Sequence, residues 1–233
     1  MREPRLVNYA GAPGQSIRSY LSLPDGGDSR PAIVVLRGVA GGDEGYIEIA
    51  SRLSDWGYVT LVHGWHGGGS NPSDDLVLGD LQGAFDYLTT VERVLTERVA
   101  VIGFCKGGIY AFMAAARQTA VRTVIVFHGF AYRAIDADHR LQPYDLADAV
   151  NVPVMLLHGT EDRSASIDDI RALDARLRAR GAICALRTYP GAEHGFAVST
   201  HPNFSADHAA LAFEEARSFL GRHFPITTPR SSS

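Results

Sequence analysis

The sequence predicts a single-domain α/β protein with a mostly parallel sheet and helices on both faces. Short apolar runs rich in Val, Ile and Leu alternate with stretches whose apolar residues recur at helical spacing. No linker, repeat or shift in composition divides the 233 residues. Because strands joined by helices favour parallel pairing with both sheet faces covered, we expect a doubly wound arrangement.

The first predicted elements precede the middle of the chain. The β-branched run PAIVVLRG (31–38) ends in glycine and is typical of a buried strand. YIEIASRLSDWG (46–57) has helical spacing and stops at Gly57, which suits a C-terminal cap. YVTLVHG (58–64) predicts a strand, and DDLVLGDLQGAFDYLTTV (74–91) predicts an amphipathic helix.

The central part of the chain continues the alternation. RVAVIGF (98–104) predicts a strand, and GGIYAFMAAARQ (107–118) predicts a helix. VRTVIVFHG (121–129) and VPVMLLHGTED (152–162) predict strands that run into loops.

The last third completes the predicted domain. IDDIRALDARLRARG (167–181) and SADHAALAFEEARSFLGRHF (205–224) predict helices that flank a strand, ICALRTYP (183–190). We therefore expect one domain over residues 1–224, followed by a disordered tail over 225–233.

Composition limits the classes of partner and the compartment. The chain is 45% hydrophobic and 21% charged, with a net charge of −4, which gives no reason to expect nucleic acid or an anionic membrane as partner. No apolar run approaches the roughly 18 residues that would cross a bilayer, and the N-terminus has no signal-peptide core. Two cysteines do not make a disulfide framework, so we expect a cytoplasmic protein.

One of those cysteines lies in a nucleophile-elbow pattern. GFCKG places Cys105 between a predicted strand and a predicted helix, in the pattern G-x-S-x-G with cysteine for serine. Gly103 and Gly107 would allow the tight bend, and the helix N-terminus would favour a thiolate. The backbone N–H of Lys106 would then point toward a forming oxyanion. The alternative is a buried structural cysteine, but the strand–elbow–helix setting favours catalysis.

A thiol nucleophile needs a base and a group that orients the base, and both follow in the required order. Asp162 comes just beyond a predicted strand, with Glu161 beside it as a competitor. His194 lies in the loop after the last predicted strand. We expect His194 to accept the thiol proton while the carboxylate fixes its tautomer.

These motifs resemble those of the dienelactone hydrolase family of α/β-hydrolases. The resemblance runs from about residue 31 to residue 222 and rests on GFCKGG, PVMLLHGTEDRSAS, AEHGFAV and AALAFEEARSFL. It implies the α/β-hydrolase fold and a triad of Cys105, Asp162 and His194. It also implies an oxyanion hole formed by the N–H groups of Lys106 and Val39.

The sequence departs from the family pattern at positions that bind a carboxylated substrate. The family loop E-I-F-G carries a glutamate that holds the resting thiol protonated, and here Gly38 occupies that position, which leaves Cys105 to pair with His194 directly. The family stretch with one carboxylate-binding arginine is shortened, and the second such arginine is replaced by Val198. We therefore expect neutral or aromatic acyl substrates, packed against Trp65 and Phe196, rather than carboxylated dienelactones.

Further residues are candidates for the pocket. HGWHGGGS (63–70) lacks the phosphate-loop Lys and a third zinc ligand beside His63 and His66, so we expect no metal and no cofactor. Trp65 and His66 are instead expected at the pocket mouth, and His128 either faces the pocket or is a structural histidine. Arg37 either pairs with a carboxylate or reaches substrate.

The resulting hypothesis is a hydrolase that cleaves an ester or lactone through an acyl-cysteine intermediate. The alternatives are an intramolecular acyl transfer or cyclisation on the same triad, and a ligand-binding relative without catalysis. We expect a small-molecule substrate and a monomer or homodimer, with no nucleic-acid or membrane partner.

Overall fold

The computed structural model describes residues 3–64 and 71–226, which build one eight-stranded sheet with helices on both faces. Residues 227–233 of the predicted tail (225–233) lie outside the described residues, and so do Trp65 and His66. The strands are β1 (Arg5–Ala10), β2 (Ser16–Ser22), β3 (Arg30–Leu36), β4 (Val59–His63), β5 (Val94–Phe104), β6 (Val121–Phe127), β7 (Val154–Gly159) and β8 (Cys184–Tyr189). The helices are α1 (Asp43–Asp55), α2 (Asp74–Thr90), α3 (Lys106–Arg117), α4 (Pro143–Leu146), α5 (Ile167–Ala179) and α6 (Ala206–His223).

The sheet is mostly parallel, as predicted. Its strand order is β1-β2-β4-β3-β5-β6-β7-β8, and every pair from β4 to β8 is parallel. The two antiparallel pairs are β1 with β2 and β2 with β4. Strands β1 and β2 and the short helix α4 are additions to the predicted elements.

The central strands are continuously apolar because both faces of the sheet are covered. In β3, Ala32, Val34 and Leu36 point into the core beneath α2, α3 and α5. Ile33 and Val35 alternate with them and point into the core beneath α1 and α6. Burial on both faces explains why this strand shows no polar alternation.

Local signals set the helix ends. Ser73 caps α2 by accepting a hydrogen bond from the N–H of Leu76 at 3.3 Å. Gly57 follows α1 with φ of +97°, and its N–H donates to the Ser54 carbonyl at 2.8 Å, so the predicted glycine cap is confirmed. Helix α3 differs, because its N-cap is Cys105, whose side chain makes no capping bond. The thiol is therefore left for other contacts.

The topology brings the candidate residues to one edge of the sheet. Strands β5, β6 and β7 are adjacent and parallel, so their carboxyl ends meet side by side. Open α/β sheets bind ligands at this edge. None of the helices within the two described segments is both long enough and apolar enough to cross a membrane.

Candidate active site

Cys105 occupies a strained elbow between β5 and α3. Its backbone has φ of +54° and ψ of −123°, a conformation that a residue with a side chain rarely adopts. A Cβ at Gly103 would lie 2.3 Å from the Gly107 carbonyl oxygen, and one at Gly107 would lie 2.0 Å from the Leu36 carbonyl oxygen. Both glycines are thus required by close backbone approach, which is the role predicted for them.

The two cysteines lie in different environments. Cys105 is partly exposed, whereas Cys184 is buried at the start of β8. Burial, with a hydrogen bond to Asp174, raises the pKa of the Cys184 thiol far above its ordinary value. Cys184 therefore stays protonated, and Cys105 is the accessible thiol.

Asp162 holds the candidate histidine from the loop after β7. Its Oδ2 lies 2.8 Å from Nδ1 of His194. Its Oδ1 accepts hydrogen bonds from the N–H groups of Ser164 at 2.9 Å and Ala165 at 2.8 Å. The neighbouring Glu161 is exposed, so of the two candidate carboxylates it is Asp162 that meets the imidazole.

The ionised forms of Asp162 and His194 stabilise each other. Burial disfavours the Asp162 carboxylate, but hydrogen bonds from His194 and the backbone outweigh it and lower the pKa of Asp162. Burial likewise disfavours the His194 imidazolium, yet hydrogen bonds to Asp162 and to the Cys105 side chain raise the pKa of His194 to about 9. The ring thus connects the carboxylate on one side with the thiol on the other.

A second histidine lies beside the carboxylate. Nε2 of His158, at the end of β7, lies 2.9 Å from the Ala165 carbonyl oxygen and 3.6 Å from Oδ2 of Asp162. Burial lowers the pKa of His158, so it bonds as a neutral ring. His158 is not among the predicted site residues, because a histidine inside an apolar strand carries no sequence signal of its tertiary partners.

The loop after β3 passes directly over the cysteine. A Cβ at Gly38 would lie 2.8 Å from Cβ of Cys105, so only glycine fits there. The buried Tyr46 of α1 fixes the loop, because its hydroxyl accepts a hydrogen bond from the Gly38 N–H at 2.8 Å. Val39, the predicted oxyanion donor, follows at once. Tyr46 was also missed, since its sequence position indicates only a buried helix face.

Lys106 and Arg37 both direct their charges to protein partners. Lys106 begins α3, and its Nζ donates to Oδ1 of Asn71 at 3.0 Å. Arg37 forms an ion pair with Asp43, donates to the Gly41 carbonyl at 3.3 Å, and lies over the Tyr46 ring. Of the two interpretations left open for Arg37, the structure shows the carboxylate pair.

The remaining candidates for the pocket lie around His194. His128 follows β6 and is buried, with its ring centroid 4.9 Å from that of His194. Phe196 is fully buried, and its ring centroid lies 5.7 Å from that of His128 and 5.2 Å from that of Tyr189. Within residues 3–64 and 71–226, no three His, Cys, Asp or Glu side chains converge as a metal site.

A family model and individual relatives both relate this chain to the same family. The sequence model of the dienelactone hydrolase family matches residues 17–224. A putative carboxymethylenebutenolidase of Methylorubrum extorquens is 26% identical over 210 residues, which are 83% of this chain and 72% of that protein. A probable 2-oxo-3-(5-oxofuran-2-ylidene)propanoate lactonase of Bradyrhizobium is 26% identical over 222 residues, which are 88% of each protein.

Comparison with solved structures confirms the predicted fold. A putative dienelactone hydrolase from Klebsiella pneumoniae superposes with a TM-score of 0.83 at 20% identity, covering 94% of this chain and 99% of the other. A propionate-bound esterase from Thermogutta terrifontis superposes with a TM-score of 0.79 at 17% identity, covering 97% and 96%.

Proposed function

This chain belongs to the dienelactone hydrolase family and is an ester or lactone hydrolase, and from that premise we propose that it acts through an acyl-thioester on Cys105. The observation that supports this mechanism is the continuous contact from Asp162 through His194 to Cys105, at a strained elbow. A thiol at this place can serve as a nucleophile because a base and an orienting carboxylate stand behind it.

In the proposed acylation, the Cys105 thiolate attacks the carbonyl carbon of the substrate. The carbonyl oxygen takes the negative charge and receives hydrogen bonds from the N–H groups of Lys106 and Val39. As the intermediate collapses, the bond to the leaving alkoxide oxygen breaks and the His194 imidazolium protonates that oxygen. For a lactone, the leaving alcohol stays attached to the acyl group.

In the proposed deacylation, neutral His194 takes a proton from a water molecule whose oxygen attacks the thioester carbon. The C–S bond then breaks, the acid is released, and the thiolate–imidazolium pair is restored. Asp162 stays ionised throughout and stabilises each imidazolium that forms.

We further propose that the substrates are neutral, with aliphatic or aromatic acyl groups. A buried substrate carboxylate needs a cation, preferably a bidentate guanidinium. The guanidinium of Arg37 already pairs with Asp43, and that of Arg133 pairs with the buried Asp74. Val198 is buried and uncharged. Pocket contacts by Trp65, His66, His128 and Phe196 remain predictions.

The remaining expectations also belong to this proposal. We propose a cytoplasmic enzyme that needs no cofactor and works as a monomer or homodimer. Both cysteines are free, in keeping with a reducing compartment.

The proposal is tested by replacing each cysteine and measuring hydrolysis of p-nitrophenyl acetate and of a neutral lactone. We expect Cys105→Ala to abolish turnover with an unchanged circular dichroism spectrum, and the matched control Cys184→Ala to keep it. Full activity of Cys105→Ala would overturn the acyl-cysteine mechanism. Product analysis with wild type separates hydrolysis from cyclisation, and binding without turnover would indicate a ligand-binding protein.

A further inference from the structure

His128 carries a feature that the triad does not explain. It follows β6, whose neighbours β5 and β7 lead to Cys105 and Asp162. The three strand ends therefore present Cys105, His128 and Asp162 side by side, and the His194 ring contacts all three. This places a second imidazole at the centre of the reacting groups.

The position of His128 costs stability in two ways. Its backbone φ is +39°, in the left-handed region, and it is held there by a hydrogen bond from its N–H to the Leu157 carbonyl at 2.8 Å. Only 2% of the residue is exposed, and within the described part of the chain neither ring nitrogen has a hydrogen-bond partner. An unsatisfied buried polar atom typically costs about 1–3 kcal/mol.

Packing alone does not require an imidazole at this position. The His128 ring packs against two phenyl rings, and its centroid lies 5.9 Å from that of Phe104 and 5.7 Å from that of Phe196. A phenyl ring would fill the same space without leaving two polar atoms unpaired. We therefore expect the imidazole nitrogens to form hydrogen bonds with a molecule that is not part of the protein.

The surroundings keep His128 uncharged. Burial, followed by the nearby rings of His194, His158 and His201, lowers the pKa of His128 well below 6.5. A neutral imidazole offers one N–H donor and one acceptor nitrogen. Water is a small partner that can use either nitrogen.

We propose that His128 is a catalytic residue that binds the hydrolytic water and orients it for attack on the thioester. The proposal rests on the acyl-Cys105 intermediate proposed above. In this step the water oxygen bonds to the thioester carbon, one water proton passes to His194, and the C–S bond breaks to release the acid. His128 holds the water by a hydrogen bond and gains or loses no proton.

This role applies to one half of the reaction. Acylation uses the thiolate and the leaving oxygen, both served by His194, and involves no water. Deacylation needs a water molecule that is oriented by a second group in addition to the base, His194. His128 has two unpaired ring nitrogens, and its ring is in contact with the His194 ring.

The test is to separate the two halves in His128→Phe with p-nitrophenyl acetate, following the burst of p-nitrophenol and the steady-state rate. We expect the burst rate to stay within about threefold and the steady-state rate to fall about 10- to 100-fold, as for one lost transition-state hydrogen bond. Acetyl-enzyme should accumulate in mass spectra of quenched samples, and hydroxylamine, a stronger nucleophile than water, should restore turnover.

Two further variants keep the test decisive. If His128→Phe does not fold, His128→Asn takes its place in the test. Asparagine tolerates a positive φ and is too short to reach the same water, so this variant should also deacylate slowly. His201→Phe alters another ring near His194, one whose Nδ1 already accepts from the Asn203 N–H at 3.1 Å, and it should keep the wild-type ratio of burst to turnover.

Each outcome decides the proposal. A parallel loss of burst and turnover in the His128 variants, or wild-type deacylation in a folded variant, would overturn the role of His128. Absence of any acyl group on wild-type Cys105 would instead overturn the proposed function on which it rests.

Discussion

Replacing Asp162 by Asn perturbs the site in a direction that the structure fixes. Oδ1 of Asp162 accepts two backbone N–H bonds, from Ser164 and Ala165. An amide nitrogen cannot accept them, so the Asn oxygen must take that place and the NH₂ group must face Nδ1 of His194. Nδ1 then becomes an acceptor, and the ring proton moves to the nitrogen that faces Cys105.

The expected effect on catalysis is large. A ring protonated toward Cys105 cannot accept a proton from the thiol or from water, and the carboxylate that raises the His194 pKa is gone. The corresponding change in serine-protease triads lowers kcat by about 10⁴-fold. That corresponds to about 5 kcal/mol of transition-state stabilisation.

The assay is kcat for a neutral ester, measured for Asp162→Asn and for the matched control Glu161→Gln. The control changes a neighbouring carboxylate that is exposed, so it should stay within about threefold of wild type. An Asp162→Asn variant that folds and stays within tenfold of wild type would refute the tautomer argument. A reversed ranking would identify Glu161 as the orienting group.

Four further predictions concern the reactivity, pH dependence, stability and substrate preference of the site. Iodoacetamide should label Cys105 in the native protein well before the buried Cys184, and equal labelling by peptide mass spectrometry would contradict the difference in exposure. Hydrolysis of an alkyl ester should decline as pH rises through about 9, because His194 loses the proton it gives the leaving alkoxide, whereas release of p-nitrophenolate should not decline. Because the pKa of His194 lies above the ordinary 6.5, protonation of His194 stabilises the folded protein fully below pH 6.5, and this contribution disappears toward pH of about 9. Urea midpoints should therefore fall over that range in wild type and not in His194→Phe. A neutral lactone should show a higher kcat/KM than its carboxylated analogue, and a tenfold preference for the anion would show that a cation such as Arg37 leaves Asp43 to reach substrate.

Most of the sheet could be predicted from the sequence because its parallel strands are buried on both faces. A strand such as β7 is then a continuous apolar run with a clear end. Strands β1 and β2 were missed because they carry many exposed polar residues and pair antiparallel at the sheet edge. The first turn of α1 was missed because Asp43 and Glu44 interrupt the apolar spacing.

The site was predictable to the extent that each residue has a local signal. Cys105 follows a strand and precedes a helix between glycines, and such an elbow is visible in the sequence. His158 and Tyr46 were not predictable, because each acts by a side-chain hydrogen bond to the backbone of a nearby loop, and the loop conformation that allows this bond has no sequence pattern. The choice between Asp162 and Glu161 depended on which carboxylate turns inward, and that follows from the backbone N–H groups of Ser164 and Ala165.

The central claim is a covalent acyl group on Cys105, and it is tested most directly by acid quench during turnover of p-nitrophenyl acetate followed by peptide mass mapping. The proposed mechanism predicts one acetyl group on the peptide that contains Cys105, formed at the rate of the p-nitrophenol burst and absent from Cys105→Ala. An acetyl group confined to another residue, or turnover at the wild-type rate with no acylated peptide, would contradict it.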